Sequence, residues 1–245
     1  MGEVLAILVV GLVGGAVPLC VRWNDRHLHT ALALATGIFL GAVFLHFLPS
    51  LSGMSLGEGH GHDHGGDMWL WLFVLLGVLG VYLVEALILR AHDHDERHRH
   101  KAIGYAALVG LTVHSLLTGV GFAAAEEQAV ARPLLLAILA HKGFEAFSLT
   151  TVFQLAEARR TRLLLLVGLF SLATPAGILV GDALTTQVGP AGVAIVTALA
   201  AGTFLYVCLC ELLVEVFHHR EDSLLRLALL AIGIALMVVL EWEAL

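Results

Sequence analysis

Two segments of this chain place polar, metal-binding side chains inside apolar sequence. VHSLLTGVGF carries His114, Ser115 and Thr118, and LAHKGFEAFSLTT carries His141, Lys142, Glu145 and Ser148. His141 and Glu145 are four residues apart, the spacing that puts two side chains on one face of a helix; His114 and Thr118 repeat it. Two imidazoles and one carboxylate form a three-ligand set suited to a borderline divalent ion such as Zn²⁺, with a labile fourth position. Imidazole also serves Fe, Cu and Ni, so ligand type alone does not choose the metal. Lys142 adjoins His141 and lies three residues from Glu145. A fixed ammonium there would repel a second cation and loosen the hold on the first; alternatively it only neutralises Glu145.

The elements that must position these residues follow from composition. Of 245 residues 59% are hydrophobic and 13% are charged, about half the roughly 25% charge of a soluble domain. Eight apolar runs reach the length of about 20 residues that a spanning helix needs: near 2–21, 30–50, 68–90, 102–125, 133–156, 163–182, 191–217 and 223–242. The expectation is one polytopic all-α membrane domain over 1–245, with no room for a water-phase globular enzyme and no nucleic-acid partner. The runs bearing His114 and His141 are joined by a short loop and should pack as antiparallel neighbours. The first run opens with Glu3 and no base until Arg22, unlike a secretory signal. Cys20, Cys208 and Cys210 fall within or beside apolar runs and read as packing residues rather than a disulfide framework.

Charge sets the expected orientation. With the N-terminus outside, the inner loops receive Arg22, Arg26, Arg90, Arg97, Arg99, Lys101, Arg159, Arg160, Arg162, Arg220 and Arg226, and the outer loops receive Arg132 alone. Basic residues concentrate on the cytoplasmic side, so both termini are expected to be extracytoplasmic, in an inner or plasma membrane. Most of the net charge of −7 would then face outward, where it attracts cations.

An internal repeat is visible. TGIFLGAVFLHFLPS (36–50) aligns with AGTFLYVCLCELLVE (201–215) at an offset of 165, pairing Gly37 with Gly202, Phe39 with Phe204, Leu40 with Leu205 and Leu48 with Leu213. His46 falls opposite Glu211 and Ser50 opposite Glu215. The two segments belong to spans of opposite direction, so the repeat is inverted, an arrangement common in secondary transporters. His46, Glu211 and Glu215 are candidates for entrance, exit or proton-handling positions. Glu85 is expected to reach the interface or pair with Arg90. Two histidine-rich tracts, 57–67 outside with His60, His62 and His64, and 91–101 inside with His92, His94, His98 and His100, suit loose metal capture.

HSLLTG, HKGFEAFSL, LHFLPS, AGTFLYV and the histidine-rich tract between spans 3 and 4 together resemble the ZIP (Zrt/Irt-like) metal transporters over nearly the whole chain. The resemblance implies eight helices in a 3+2+3 arrangement and movement of Zn²⁺, or another divalent ion such as Fe²⁺, Cd²⁺ or Mn²⁺, toward the cytosol. It implies a site between helices 4 and 5 with His114, His141 and Glu145 as primary ligands. It further implies an elevator-like motion of helices 1, 4, 5 and 6 against 2, 3, 7 and 8; a homodimer is compatible with it. The chain departs from the family pattern at Thr118, where a glutamate is usual, at Ser115 for an asparagine, at Lys142 for a carboxylate and at Thr174 for a glutamate. Those departures predict a single-metal site of modest affinity, with Ser115, Thr118 and Lys142 as adjacent modulators. Two other readings compete: an intramembrane zinc hydrolase, which lacks an HExxH motif here, and a cation-diffusion exporter, which would have six helices and a cytosolic domain.

Overall fold

The computed structural model describes residues 2–20, 23–52, 54, 64–90, 96–124, 128–156, 158–184, 189–218 and 222–244. Eight helical spans account for nearly all of them, and no strand occurs among the described residues. α1 is Gly2–Cys20. α2 runs through Asp25–Gly41, Ala42–Phe47 and Leu48–Ser52, and α3 is His64–Arg90. α4 is Glu96–Ala124 and α5 is Gln128–Leu155. α6 consists of Arg160–Ser171 and Ala173–Leu184, α7 of Pro190–Tyr206, Val207–Leu212 and Leu213–Phe217, and α8 is Ser223–Ala244. Each contains a stretch long and apolar enough to cross a bilayer. Large apolar side chains such as Leu5, Trp69, Leu83, Leu165 and Leu224 stand exposed around the outside, a surface suited to a lipid environment. The chain is an all-α integral membrane protein.

Several helices start ahead of their apolar runs. α2 begins at Asp25 because the Asn24 side chain caps it, accepting the His27 N–H at 2.9 Å. α3 and α4 begin at His64 and Glu96, so the later part of each histidine-rich tract has helical backbone. α6 breaks at Leu172 because Pro175 has no N–H for the Ser171 carbonyl, four residues earlier.

Four pairs of helices approach most closely, α1 with α5, α4 with the second half of α6, α2 with α8, and α3 with α7. Glycine makes each approach. A Cβ on Gly14 would run into the backbone of Gly143, one on Gly177 into Leu116, one on Gly37 into Leu230 and one on Gly202 into Val74. Small residues that let backbones touch are a main source of helix association in lipid, where burial of apolar surface gives no drive. Exchanging helix 1 with 6, 2 with 7, 3 with 8 and 4 with 5 turns these four pairs into one another. That exchange is the inverted repeat, and a local feature obeys it too. α2 has a π-helical turn at Ala42–Phe47 and α7 has one at Val207–Leu212, displaced by the same 165 residues. Pro49 follows the first turn, but Val214 stands at the corresponding place in α7, so proline is not their common cause.

α2 and α5 are the most enclosed spans, each with 61% of its apolar window buried, whereas α1, α3 and α8 have 22%. The centre of the bundle is therefore built on α2 and α5, with α4 and α7 packed beside them.

Candidate metal centre

α4 carries His114, Ser115 and Thr118 into the centre of the bundle, and α5 carries His141, Lys142 and Glu145 to meet them. All six are buried, and the three candidate ligands are at most 2% exposed. One ligand atom from each of His114, His141 and Glu145 lies within 4.8 Å of the others.

The carboxylate of Glu145 divides its work. Oε2 accepts from Lys142 Nζ at 3.1 Å and from Ser115 Oγ at 3.2 Å, while Lys142 Nζ also donates to Ser115 Oγ at 2.6 Å. Oε1 has no hydrogen-bond partner among the described residues and faces His114 Nε2 at 3.4 Å and His141 Nε2 at 3.9 Å. The orientation of His114 is fixed from behind, because its Nδ1–H donates to the Ala200 carbonyl of α7 at 2.9 Å. That bond leaves the lone pair on Nε2, pointing inward. Thr118 Oγ1 lies 3.3 Å from the same Nε2. A lone pair aimed at a carboxylate oxygen is unfavourable unless a cation or proton lies between them. Ligands about 2 Å from a zinc ion stand roughly 3–4 Å from one another, so the observed separations fit one coordination sphere.

Aromatic side chains of α7, α2 and α6 wall the site. Phe204 of α7 stacks on the His114 ring, with centroids 4.3 Å apart and planes at 20°. Phe47, in the π-turn of α2, presents its edge to His114 at 5.3 Å and to His141 at 5.5 Å. Lys142 Nζ lies 3.8 Å from the centre of the Phe170 ring of α6, a cation–π contact that adds to its ion pair with Glu145. In this arrangement the three candidate donors are buried.

The other polar residues named from sequence are distributed elsewhere. His46 is half-buried, edge-on to Phe47 at 5.4 Å. Glu211 is buried in the π-turn of α7 with both carboxylate oxygens lacking a hydrogen-bond partner among the described residues. Glu215 pairs with His29 Nε2 at 3.3 Å. Neither acid joins the His114–His141–Glu145 group. Glu85 accepts from the Tyr206 hydroxyl; the side chain of Arg90, one of its expected partners, lies outside the described residues. Thr174 is buried on α6. His60, His62, His92 and His94 lie outside the described residues, as do the side chains of His64, His98 and His100.

Sequence reasoning did not single out Phe47, Phe204, Phe170, the Ala200 carbonyl or His29. Phe204 had a signal, since it is the repeat partner of Phe39. A backbone carbonyl has none, because every residue carries one.

Comparison with known proteins gives a consistent set of relatives. A family model described as ZIP Zinc transporter matches residues 1–105 and 89–241. The protein named Zinc transporter ZIP1 of Homo sapiens is 35% identical over 286 residues, covering 97% of this chain and 88% of the relative. Its Mus musculus counterpart is 36% identical over 287 residues with the same coverages. That of Danio rerio is 23% identical over 290 residues, covering 98% of this chain and 96% of the relative.

Proposed function

Because the chain belongs to the ZIP zinc transporter family, we propose that it carries Zn²⁺ toward the cytosol through one site between α4 and α5, held by His114, His141 and Glu145. Membership makes the chain a metal transporter embedded in the membrane rather than an enzyme, with zinc as its substrate. The single observation that carries the site is the division of Glu145: one oxygen is tied to Lys142 and Ser115, and the other is left to face two imidazole nitrogens. Other divalent ions such as Fe²⁺, Cd²⁺ or Mn²⁺ would find the same donors, since imidazole and carboxylate bind several metals.

In this reading Lys142 is the permanent counter-ion. It keeps the empty site neutral with Glu145 and keeps a second dication out, and Ser115 hydrogen-bonds to both. Thr118 replaces a charged ligand with a hydroxyl, so the metal is held by one carboxylate and is readily released. The ion moves as α1, α4, α5 and α6 slide against α2, α3, α7 and α8. Support comes from the packing. The glycine contacts between backbones join α1 to α5, α4 to α6, α2 to α8 and α3 to α7, all within one set or the other. Across the division, Gly110 of α4 meets the Val207 and Val81 side chains, a softer contact. The termini are extracytoplasmic in this proposal, which the distribution of arginine favours. The histidine-rich tracts 57–67 and 91–101 gather metal on either side, and His46, Glu211 and Glu215 line the route. A homodimer is compatible with this arrangement.

The test is radioactive zinc uptake into cells expressing the chain, with surface abundance measured alongside. His141→Ala and Glu145→Ala should each abolish accumulation at unchanged abundance; uptake at the unaltered level in both would overturn the assignment.

A further inference from the structure

Glu211 is 2% exposed, and neither oxygen of its carboxylate has a hydrogen-bond partner among the described residues. Its neighbours do nothing for a negative charge. Glu85 of α3 repels it, and Tyr206 and Cys210 stand near it on α7. α2 and α4 also pack against this turn, but among the described residues they bring no charge to bear on Glu211. Residues 206 and 211 would lie about 140° apart round an α-helix. The π-turn at Val207–Leu212, bonded from i to i+5, brings them toward one side, so Glu211 joins the pair that Tyr206 makes with Glu85.

The two carboxylates are not alike. The Tyr206 hydroxyl donates to Glu85 Oε2 and Glu85 is only half-buried, so a charge there is stabilised. Glu211 has neither a donor nor exposure. We propose that Glu211 is a proton-binding site, a neutral carboxylic acid at neutral pH beside the anion of Glu85. An ionised carboxylate buried in a membrane without a partner is far more costly than a neutral one, and two carboxylates placed together do not readily both ionise. A metal ion is a poorer occupant, because among the described residues the one group of three metal-ligating side chains is His114, His141 and Glu145.

Binding adds H⁺ from water to one carboxylate oxygen and breaks no other bond in the chain. The way in is short. Glu211 precedes the end of α7 at Phe217, and Glu85 the end of α3 at Arg90, by about 9 Å and about 8 Å of helix at 1.5 Å per residue. With the proton on, α3 and α7 keep their close backbone approach at Gly77 and Gly202; without it, two like charges would stand between the same helices. Both helices belong to one set in the motion proposed above, so the proton is resident and is not carried with the metal. Its binding does not depend on the metal centre.

The test is infrared difference spectroscopy on the full chain in lipid vesicles, free of metal and titrated with acid and base. At neutral pH the unaltered chain should show the C=O stretch of a protonated carboxylic acid, which moves on exchange into D₂O. Glu211→Gln should remove that band. Glu85→Gln should keep it but lose it at a pH lower by about one unit, a tenfold weaker hold on the proton once the neighbouring charge is gone. Glu215→Gln is the control, since that carboxylate is paired with His29, and it should leave the band in place. The proposal is overturned if the unaltered chain lacks the band, if Glu211→Gln retains it, if Glu85→Gln removes it at neutral pH, or if Glu85→Gln leaves its titration unmoved. Should Glu211→Gln fail to fold, the titration of Glu85→Gln decides alone.

Discussion

Phe39 and Phe204 occupy equivalent places in the two halves of the inverted repeat, and their rings touch, with centroids 5.1 Å apart at 62°. Equivalent residues can meet only where the halves meet, so this pair marks the axis that relates α1–α3 to α6–α8. The candidate metal centre lies beside that axis, since Phe204 touches Phe39 on one side and stacks on His114 on the other. Phe204 thus joins the repeat axis to His114, a candidate ligand on α4, which lies between the two repeat halves.

That contact gives the first prediction. Phe39→Leu and Phe204→Leu should be less than additive in thermal stability, with a coupling of about 0.5–1.5 kcal/mol, the value for a buried aromatic pair. Only Phe204→Leu should also raise the zinc concentration needed for half-maximal uptake, because only that ring touches His114. A double-mutant cycle on melting temperature, with uptake measured on the same four proteins, checks both.

Glu145→Gln keeps the shape and removes the charge. It should reduce zinc affinity by more than the roughly 10- to 100-fold that loss of an outer partner costs. It should also lower stability, since Lys142 is left buried without its counter-ion. Adding Lys142→Met should restore the melting temperature while leaving uptake absent. Recovery of uptake in the double variant would mean that Glu145 serves Lys142 alone.

Lys142→Met by itself acts in the other direction. With the ammonium gone, Glu145 offers its full charge to the ion. Two unit charges about 5 Å apart interact by about 3 kcal/mol at an effective dielectric near 20, so zinc binding should tighten by at least about tenfold and turnover should fall with it. Titration of zinc into purified protein gives the first number and uptake rate the second. The metal-free variant should melt lower than the unaltered chain, and zinc should restore it.

The glycine contacts make a matched pair of predictions. Gly37→Ala and Gly202→Ala each drive a methyl into the backbone of a neighbouring helix and should each cost about 1–3 kcal/mol, the usual effect of overpacking. Gly80→Ala, with open space around it, should be neutral. Thermal unfolding in detergent separates the three.

Much of this architecture was legible before any coordinates. The eight spans follow from apolar runs of bilayer length, and the juxtaposition of His114 with His141 and Glu145 follows from four-residue spacing on two helices joined by a short loop. The repeat offset of 165 was also readable, and the two π-helical turns sit at that same displacement. What escaped is what depends on three-dimensional detail. Periodicity in an apolar helix does not say which phenylalanine faces a candidate ligand, so Phe47 was unremarkable in sequence and Phe204 stood out only as the repeat partner of Phe39. The Ala200 carbonyl that orients His114 is invisible in principle. The pairing of His29 with Glu215 joins residues 186 positions apart, across the ends of two helices whose relative shift no spacing rule supplies. The hydrogen bond from the Tyr206 hydroxyl to Glu85 likewise joins residues 121 positions apart.

The ion pair of Lys142 with Glu145 bears on how the transporter responds to voltage. If the centre shuttles as proposed, the vacant form sums to zero and its return is blind to the membrane potential. The loaded form bears two positive charges, each worth about 2.3 kcal/mol per 100 mV of the field it crosses. An interior-negative membrane would therefore pull zinc inward on one stroke and leave the other unopposed, giving uptake a direction without any second ion to drive it.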